Sequence, residues 1–333
     1  MDITVAIPTY NGATRLPGVL NLLQKQLQAE AIIWEILVVD NNSTDCTQEV
    51  IAEFRAILPR LRWCRESKQG AGFARHRAFV EARGELVAFL DDDTIPDIHW
   101  VSAVAQFAKT HPQAGAYGSR VRADYAVLPP ANFSRIACMM AITDMGNRPL
   151  LYGKESRFLP STAGLVVRKC VWQQCVPKEM ILPGPIEGHM LASEDLEMLS
   201  YIQRGSLWEI WYNPAMEITH KIPAARLEKT YLIRWARGNG LSSHVIRTIG
   251  TKGLKKYLLT IAYFGNDLKN ILWHLCKYRG DVKADLVASC ELSLLTGKLI
   301  SPFFLWFHGY LKRKAVHLDS ASAHATREDS GGS

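Results

Sequence analysis

The seven cysteines of this chain (46, 64, 138, 170, 175, 276 and 290) include no Cys-x-x-Cys pair. Their odd number and scatter argue against a disulfide framework or a thiolate zinc site, and fit thiols kept in a reducing compartment. A dinucleotide fingerprint is lacking too. Gly70-Ala71-Gly72 supplies two glycines of Gly-x-Gly-x-x-Gly, but position 75 is Arg. The loop also follows the polar stretch Glu66-Ser67-Lys68-Gln69 where that fingerprint requires a strand. There are no internal repeats. The N-terminus enters an apolar strand at once, leaving no room for a signal peptide, and a cytoplasmic chain is expected.

Apolar residues are abundant. At 48% of 333 residues they suffice for one large α/β domain with an appendage. The net charge of +7 is unevenly spread. Residues 1–225 hold 22 Lys or Arg against 24 Asp or Glu, whereas residues 226–333 hold 17 against 8. A basic C-terminal third points to an anionic surface, with nucleic acid and an acidic membrane leaflet as the two candidates.

Three apolar runs each end in a polar cluster. Thr4-Val5-Ala6-Ile7 leads into Pro8-Thr9-Tyr10-Asn11-Gly12, and Trp34-Glu35-Ile36-Leu37-Val38-Val39 leads into Asp40-Asn41-Asn42-Ser43-Thr44-Asp45. Glu85-Leu86-Val87-Ala88-Phe89-Leu90 leads into Asp91-Asp92-Asp93. Such runs suit parallel strands buried on both faces. Helical stripes follow the first two: Leu16, Val19, Leu20, Leu23 and Leu27, then Val50, Ile51, Phe54 and Ile57. The βαβα order predicts an open parallel sheet with ligands at the carboxyl ends of its strands, so the three clusters share one rim. Three adjacent carboxylates repel one another, and coordination of a divalent cation that carries a phosphate oxygen is the usual compensation.

Beyond residue 225 the pattern turns helical. Leu254, Tyr257, Leu258, Ile261, Phe264, Leu268, Ile271, Leu272 and Leu275 recur at three- and four-residue steps, with Lys255, Lys256, Lys269 and Lys277 on other positions. Leu292 to Leu311 is more apolar and ends in Lys312-Arg313-Lys314, but it contains Gly297, Lys298 and Pro302. An interfacial or re-entrant segment is expected there, with plain packing on the body as the alternative. Residues 316–333 read as a disordered tail.

The ordered set of strand ends resembles the family 2 glycosyltransferases of the GT-A fold. Further matches are Gly70 to Arg75, Ser161 to Arg168, Ser193-Glu194-Asp195-Leu196-Glu197 and His220. The whole chain is also similar to the cyanobacterial glycosyltransferases of hormogonium polysaccharide synthesis, through Pro112 to Gly118, Trp208 to Pro214 and Ser301 to Trp306. The resemblance implies an open, mostly parallel sheet flanked by helices, with a C-terminal helical extension. It implies a glycosyltransferase domain over 1–225, divided near Pro129-Pro130 into a nucleotide-binding half (1–125) and an acceptor half (126–225), then a basic helical region over 226–315.

The resemblance also implies roles. Pro8, Thr9, Tyr10 and Asn11 wall the nucleobase, and Asp40, with Asn42 nearby, meets the uracil ring and ribose. Arg75 meets a phosphate. Asp91 and Asp93 are the outer members of an Asp-x-Asp, serving ribose and a Mn²⁺ or Mg²⁺ ion, with His220 a further ligand. Asp92, the middle residue, lies in the donor site and is expected to tolerate substitution best. Asp195 is the general base of an inverting transfer, and Glu194 and Gly164 orient the acceptor side. By residue type, Ser193 can cap the helix carrying Leu196, Leu199 and Ile202. Position 231 is Tyr where processive relatives carry the Gln of Gln-x-x-Arg-Trp, so a single addition is expected. The expected partners are a nucleotide-sugar donor, probed first as UDP-sugars, a glycan or lipid-linked acceptor, and the inner face of the plasma membrane, without nucleic acid. A metal-dependent phosphohydrolase would leave the first two strand ends without a purpose, and a non-catalytic basic module would leave residues 1–225 unexplained.

Overall fold

A computed structural model describes residues 1–311 apart from 155, 157, 186–189, 280 and 281. The expected tail at 316–333 and the Lys312-Arg313-Lys314 cluster lie outside the described residues.

The strands are β1 (Ile3–Thr9), β2 (Trp34–Asp40), β3 (Leu61–Arg65), β4 (Leu86–Phe89), β5 (Thr94–Pro96), β6 (Ala114–Tyr125), β7 (Leu150–Tyr152), β8 (Val166–Arg168) and β9 (Glu209–Ile222). The helices of the sheet-bearing part are α1 (Leu16–Gln24), α2 (Thr47–Ile57), α3 (Ala71–Glu81), α4 (Trp100–Thr110), α5 (Lys169–Cys175) and α6 (Glu194–Gly205). All strands join one sheet in the order β3-β2-β1-β4-β8-β6-β9-β5, with β7 also on β9. The first four neighbours are parallel, as the aliphatic runs predict. β8 is antiparallel to β4 and β6, while β6 and β9 run parallel over most of their length. The sheet is therefore continuous across the Pro129-Pro130 loop.

Two apolar layers enclose the sheet. One holds Leu16, Leu20, Leu23, Ile51 and Trp100 against Val5, Ile7, Ile36 and Val38. The other holds Ala74, Ala78, Phe79, Met198 and Ile202 against Val87, Phe89 and Val167. Full burial of the strand side chains explains why no alternation marks these strands in the sequence.

The C-terminal part comprises α7 (Lys229–Leu241), α8 (Ser243–Thr248), α9 (Gly253–Lys277) and α10 (Leu286–Phe307). α10 is expected at an interface but lies along α7. A Cβ on Gly240 would stand 2.4 Å from the Leu294 carbonyl oxygen, and one on Gly297 would stand 2.7 Å from that of Arg237. Glycine at both positions lets the backbones meet. Among the described residues, α10 is the helix long and apolar enough to cross a membrane, with 28% of that window buried in the protein.

Candidate functional site

The register of the sheet brings the acidic run, His220 and the β1 and β2 ends to one rim. Thr94 of β5 pairs with His220 of β9, and Lys221 N donates to the Asp93 carbonyl at 3.0 Å. This pairing sets His220 Nε2 3.6 Å from Asp93 Oδ1. Arg226 Nη2 lies 2.9 Å from Asp93 Oδ2, and its Nη1 lies 3.1 Å from His220 Nε2. His220 Nδ1 is 2.9 Å from the Met140 carbonyl, which can only accept, so Nδ1 carries the proton. The Nε2 lone pair then faces Asp93 and Arg226. Burial alone would raise the Asp93 pKa, but its basic neighbours, with the Arg226 guanidinium in direct contact, outweigh it and bring it to about 2.

Asp92, the middle member expected to tolerate substitution best, is held by three hydrogen bonds. Its carboxylate is 8% exposed and accepts from Thr9 Oγ1 at 2.5 Å. Arg15 grips it at both oxygens, Nε to Oδ1 at 2.8 Å and Nη2 to Oδ2 at 2.9 Å. Asp92 thus ties the end of β1 and the start of α1 to the acidic turn.

Asp91 is more open. Its Oδ1 accepts from Arg75 Nη2 at 3.3 Å. The other terminal nitrogen of Arg75 pairs closely with Glu194, and Arg75 Nε has no acceptor among the described residues. Burial opposes the Arg75 charge, yet Glu194, Asp91 and Asp195 around it raise its pKa. One guanidinium therefore joins the β4 end to the start of α6.

Asp195 stands at that start. Oδ1 accepts from its own helix at Leu196 N (2.8 Å), and Oδ2 accepts from Thr162 N (3.2 Å). Burial pushes its carboxyl up, and the Arg75 charge offsets only part of this. Glu194, 5% exposed and bound to Arg75, is likewise raised by burial and orients that guanidinium more directly than an open acceptor face. Ser193 does not cap α6. It adopts φ 79°, makes no capping bond, and its hydroxyl is 3.3 Å from Asn239 Oδ1. Asp195 takes up the first-turn amide instead. Gly164 (φ +73°) lies behind the rim, where a Cβ would approach Ser119 Oγ to 2.3 Å, so its part is to let the Thr162–Ala163 turn pack closely.

On the nucleobase side, Tyr10 is 41% exposed beside the half-buried Pro8. Asn11 and Asn42 have φ of 48° and 64°. Asn11 Oδ1 accepts from Thr44 N at 2.8 Å, and Asn42 Oδ1 accepts from Arg65 Nη2 at 2.5 Å. Asp40 is fully buried, with Oδ1 accepting from Ser43 N and Oδ2 from Gln48 Nε2, both at 3.0 Å. Its carboxylate organises the loop in this conformation. Asn41 does the same for the next loop, donating to the carbonyls of Glu66 and Lys68 and accepting from Gly70 N. Sequence reasoning overlooked Arg15, Asn41, Thr162 and Arg226. Of these only Arg226 had a local signal, six residues after His220.

Comparison with known proteins settles the family. The model for glycosyl transferase family 2 matches residues 4–172. This chain belongs to glycosyl transferase family 2. Curated relatives match over shorter stretches. Glycosyltransferase AglE of Haloferax volcanii is 33% identical over 100 residues, 30% of this chain and 33% of AglE. The alr2836 glycosyltransferase of Nostoc sp. is 32% identical over 116 residues, 34% and 35% of the two chains. The chain thus spans about a third of the length of these family 2 relatives. Staphylococcus aureus TarS 1–349, solved with UDP-GlcNAc, superposes with a TM-score of 0.54 at 16% identity, covering 90% of this chain and 91% of TarS. The mannosyltransferase PcManGT of Pyrobaculum calidifontis, solved with GDP-Man and Mn²⁺, gives 0.54 at 18% identity, covering 96% and 79%. Both likenesses establish the GT-A fold for this family 2 chain.

Proposed function

We propose that the chain is a metal-dependent inverting glycosyltransferase. It moves one sugar from a nucleoside-diphosphate donor, most simply a UDP-sugar, to a hydroxyl of a glycan or lipid-linked acceptor in extracellular polysaccharide assembly. We place residues 1–225 in the catalytic unit, with the basic helices as a peripheral anchor at the cytoplasmic membrane face. The carrying observation is Arg75, which holds Asp91 of the acidic turn and Glu194 beside Asp195 on one guanidinium. Donor carboxylates and a base candidate thereby converge on one mouth. The nucleotide-sugar complexes of TarS and PcManGT support the donor class.

A divalent cation fits the side chains present. Asp93 offers a carboxylate and His220 a neutral ring nitrogen 3.6 Å away, with its tautomer fixed by Met140. Among the described residues no group of three or more His, Cys, Asp or Glu is disposed to bind a metal. Few protein ligands, with substrate phosphate oxygens completing the shell, suit Mn²⁺ or Mg²⁺. When bound, the ion would neutralise charge on the leaving diphosphate.

The protein's own part is as follows. Asp195, fixed by Leu196 N and Thr162 N, takes the proton of the acceptor hydroxyl. The acceptor oxygen bonds to the anomeric carbon as the carbon–oxygen bond to the diphosphate breaks, and the electron pair leaves with the diphosphate. Attack from the opposite face inverts the centre. Arg75, loosely held at Asp91, can turn its unpartnered Nε toward a donor phosphate oxygen. The test is UDP release across a nucleotide-sugar panel, with and without Mn²⁺. Asp195→Asn is expected to lower turnover by about 10²–10⁴. Release that needs neither acceptor nor metal and survives that substitution would sink the proposal.

A further inference from the structure

The apolar stripe of α9 is turned outward. Leu254 is 75% exposed, Tyr257 71%, Ile261 70% and Trp273 64%, with Leu258, Leu268 and Leu272 also exposed. The side facing the protein is polar. Asp267, the helix's one carboxylate, is 1% exposed and receives both terminal nitrogens of Arg247, and the buried His274 lies 3.0 Å from the Ala288 carbonyl. This helix therefore inverts the pattern of a helix docked on a core. At 25 residues it is about 37 Å long, a continuous apolar strip. The strip extends onto α10, where Phe303 meets Phe264 edge-on at 6.3 Å and Phe307 is 78% exposed.

Charge identifies the occupant. α9 carries Lys255, Lys256, Lys269 and Lys277 and no exposed carboxylate. Beside it, a cleft between α8, α9 and α10 is lined by Phe264, Leu299 and Pro302 together with Lys298 and the Arg247–Asp267 ion pair. A second copy of this helix would set lysine against lysine. An anionic bilayer satisfies both features, since acyl chains take the stripe and headgroup phosphates take the cations. Trp273, with Lys277 Nζ 5.6 Å from its ring, matches the amphipathic side chains favoured at headgroup depth.

We propose that α9 lies in the plane of an anionic bilayer, with Leu254, Leu258, Ile261, Leu268 and Leu272 in the acyl boundary and Lys255, Lys269 and Lys277 at headgroup level. This deepens the peripheral placement given above and rests on it. α10, the more apolar helix, serves as the scaffold behind α9 and contributes only its Phe303–Phe307 end.

The test is flotation of the full chain with phosphatidylcholine vesicles, with and without phosphatidylglycerol. Wild type is expected to float with the anionic vesicles. Leu258→Ser with Ile261→Ser should reduce partitioning at least about tenfold. Lys255→Glu with Lys269→Glu should reduce it about fivefold or more per lysine on anionic vesicles only. All four positions are on the surface, and thermal unfolding matching wild type confirms intact folds. Flotation of wild type and both variants alike would overturn the assignment to α9 while leaving the peripheral placement standing. Absence of flotation, with self-association that the Leu258/Ile261 variant abolishes, would give the stripe to a second copy and remove both. UDP release is read separately, so neither result bears on the transferase chemistry.

Discussion

Asp92→Ala should cost more stability than Asp91→Ala. Three hydrogen bonds end on this carboxylate, one from Thr9 and two from Arg15. Thr9 is 3% exposed, so its hydroxyl loses its acceptor without gaining water, at about 1–3 kcal/mol. The Arg15 side chain is 40% exposed and is resolvated once released, which limits its loss to about 1 kcal/mol. The total is about 2–4 kcal/mol. With an unfolding entropy of about 2.1 cal/mol/K per residue, this lowers Tm by roughly 3–6 °C.

Asp91→Ala is the comparison. Its side chain is 29% exposed, and the turn that follows is held by its backbone carbonyl, which accepts from Thr94 N and Oγ1. Those bonds survive truncation, and Arg75 keeps Glu194, so a loss of about 1 kcal/mol is expected. Chemical denaturation of both variants, followed by far-UV circular dichroism, makes the comparison. Asp92→Ala within about 0.5 kcal/mol of wild type, or Asp91→Ala losing more, would refute the reasoning, because surface substitutions stay within that range.

Because burial lifts the Asp195 carboxyl, turnover should rise with pH through an apparent pKa above the ordinary carboxylate range, and Asp195→Asn should remove that limb from the pH–rate profile. His244 is brought down to about 4 by burial, with Lys256 and Arg247 adding to the effect. The unfolded chain then binds the extra proton first, so this contribution is whole above about 6.5 and is lost as pH falls toward 4. It amounts to about 3 kcal/mol at most, and denaturation midpoints across this range should fall less steeply in His244→Gln. Gly164→Ala combines a left-handed backbone with a clash at Ser119 and should lower stability by about 2–4 kcal/mol, read from the same midpoints.

The strands and helices of the sheet were legible because continuous apolar runs and 3.6-residue stripes are local signals. Long-range register was not. Arg15 meets Asp92 across 77 residues and Arg75 meets Glu194 across 119, and no spacing in the sequence links either pair. The acidic run shows the consequence. The Asp-x-Asp pattern leaves the middle residue without a task, whereas the turn buries that residue and leaves Asp91 open. Ser193 was misread for a related reason. A serine before Glu-Asp suits an N-cap by propensity, but φ 79° points it at Asn239 and Asp195 satisfies the amide. In the C-terminal part, periodicity found α9, and the packing of α10 along α7 is the alternative that its composition had left open. Hydropathy reports how apolar a helix is, whereas Gly240 and Gly297 decided which one the body covers.

Charge bookkeeping around the rim joins these details. Asp91, Asp92, Asp93, Glu194 and Asp195 face Arg15, Arg75 and Arg226, and each guanidinium is committed to identified acids. With every acid ionised, two negative charges are left over, nearest to Asp91 and Asp195. The raised pKa values of Glu194 and Asp195 follow chiefly from burial, and a surplus of this sign disfavours their ionised forms further. A nucleoside diphosphate entering such a site alone would meet repulsion. A divalent cation held by Asp93 and His220 would cancel the surplus, beside the guanidinium of Arg226 that already contacts both residues. Arg226, in contact with both Asp93 and His220, is thus the arginine whose charge bears most directly on the end of the acidic run.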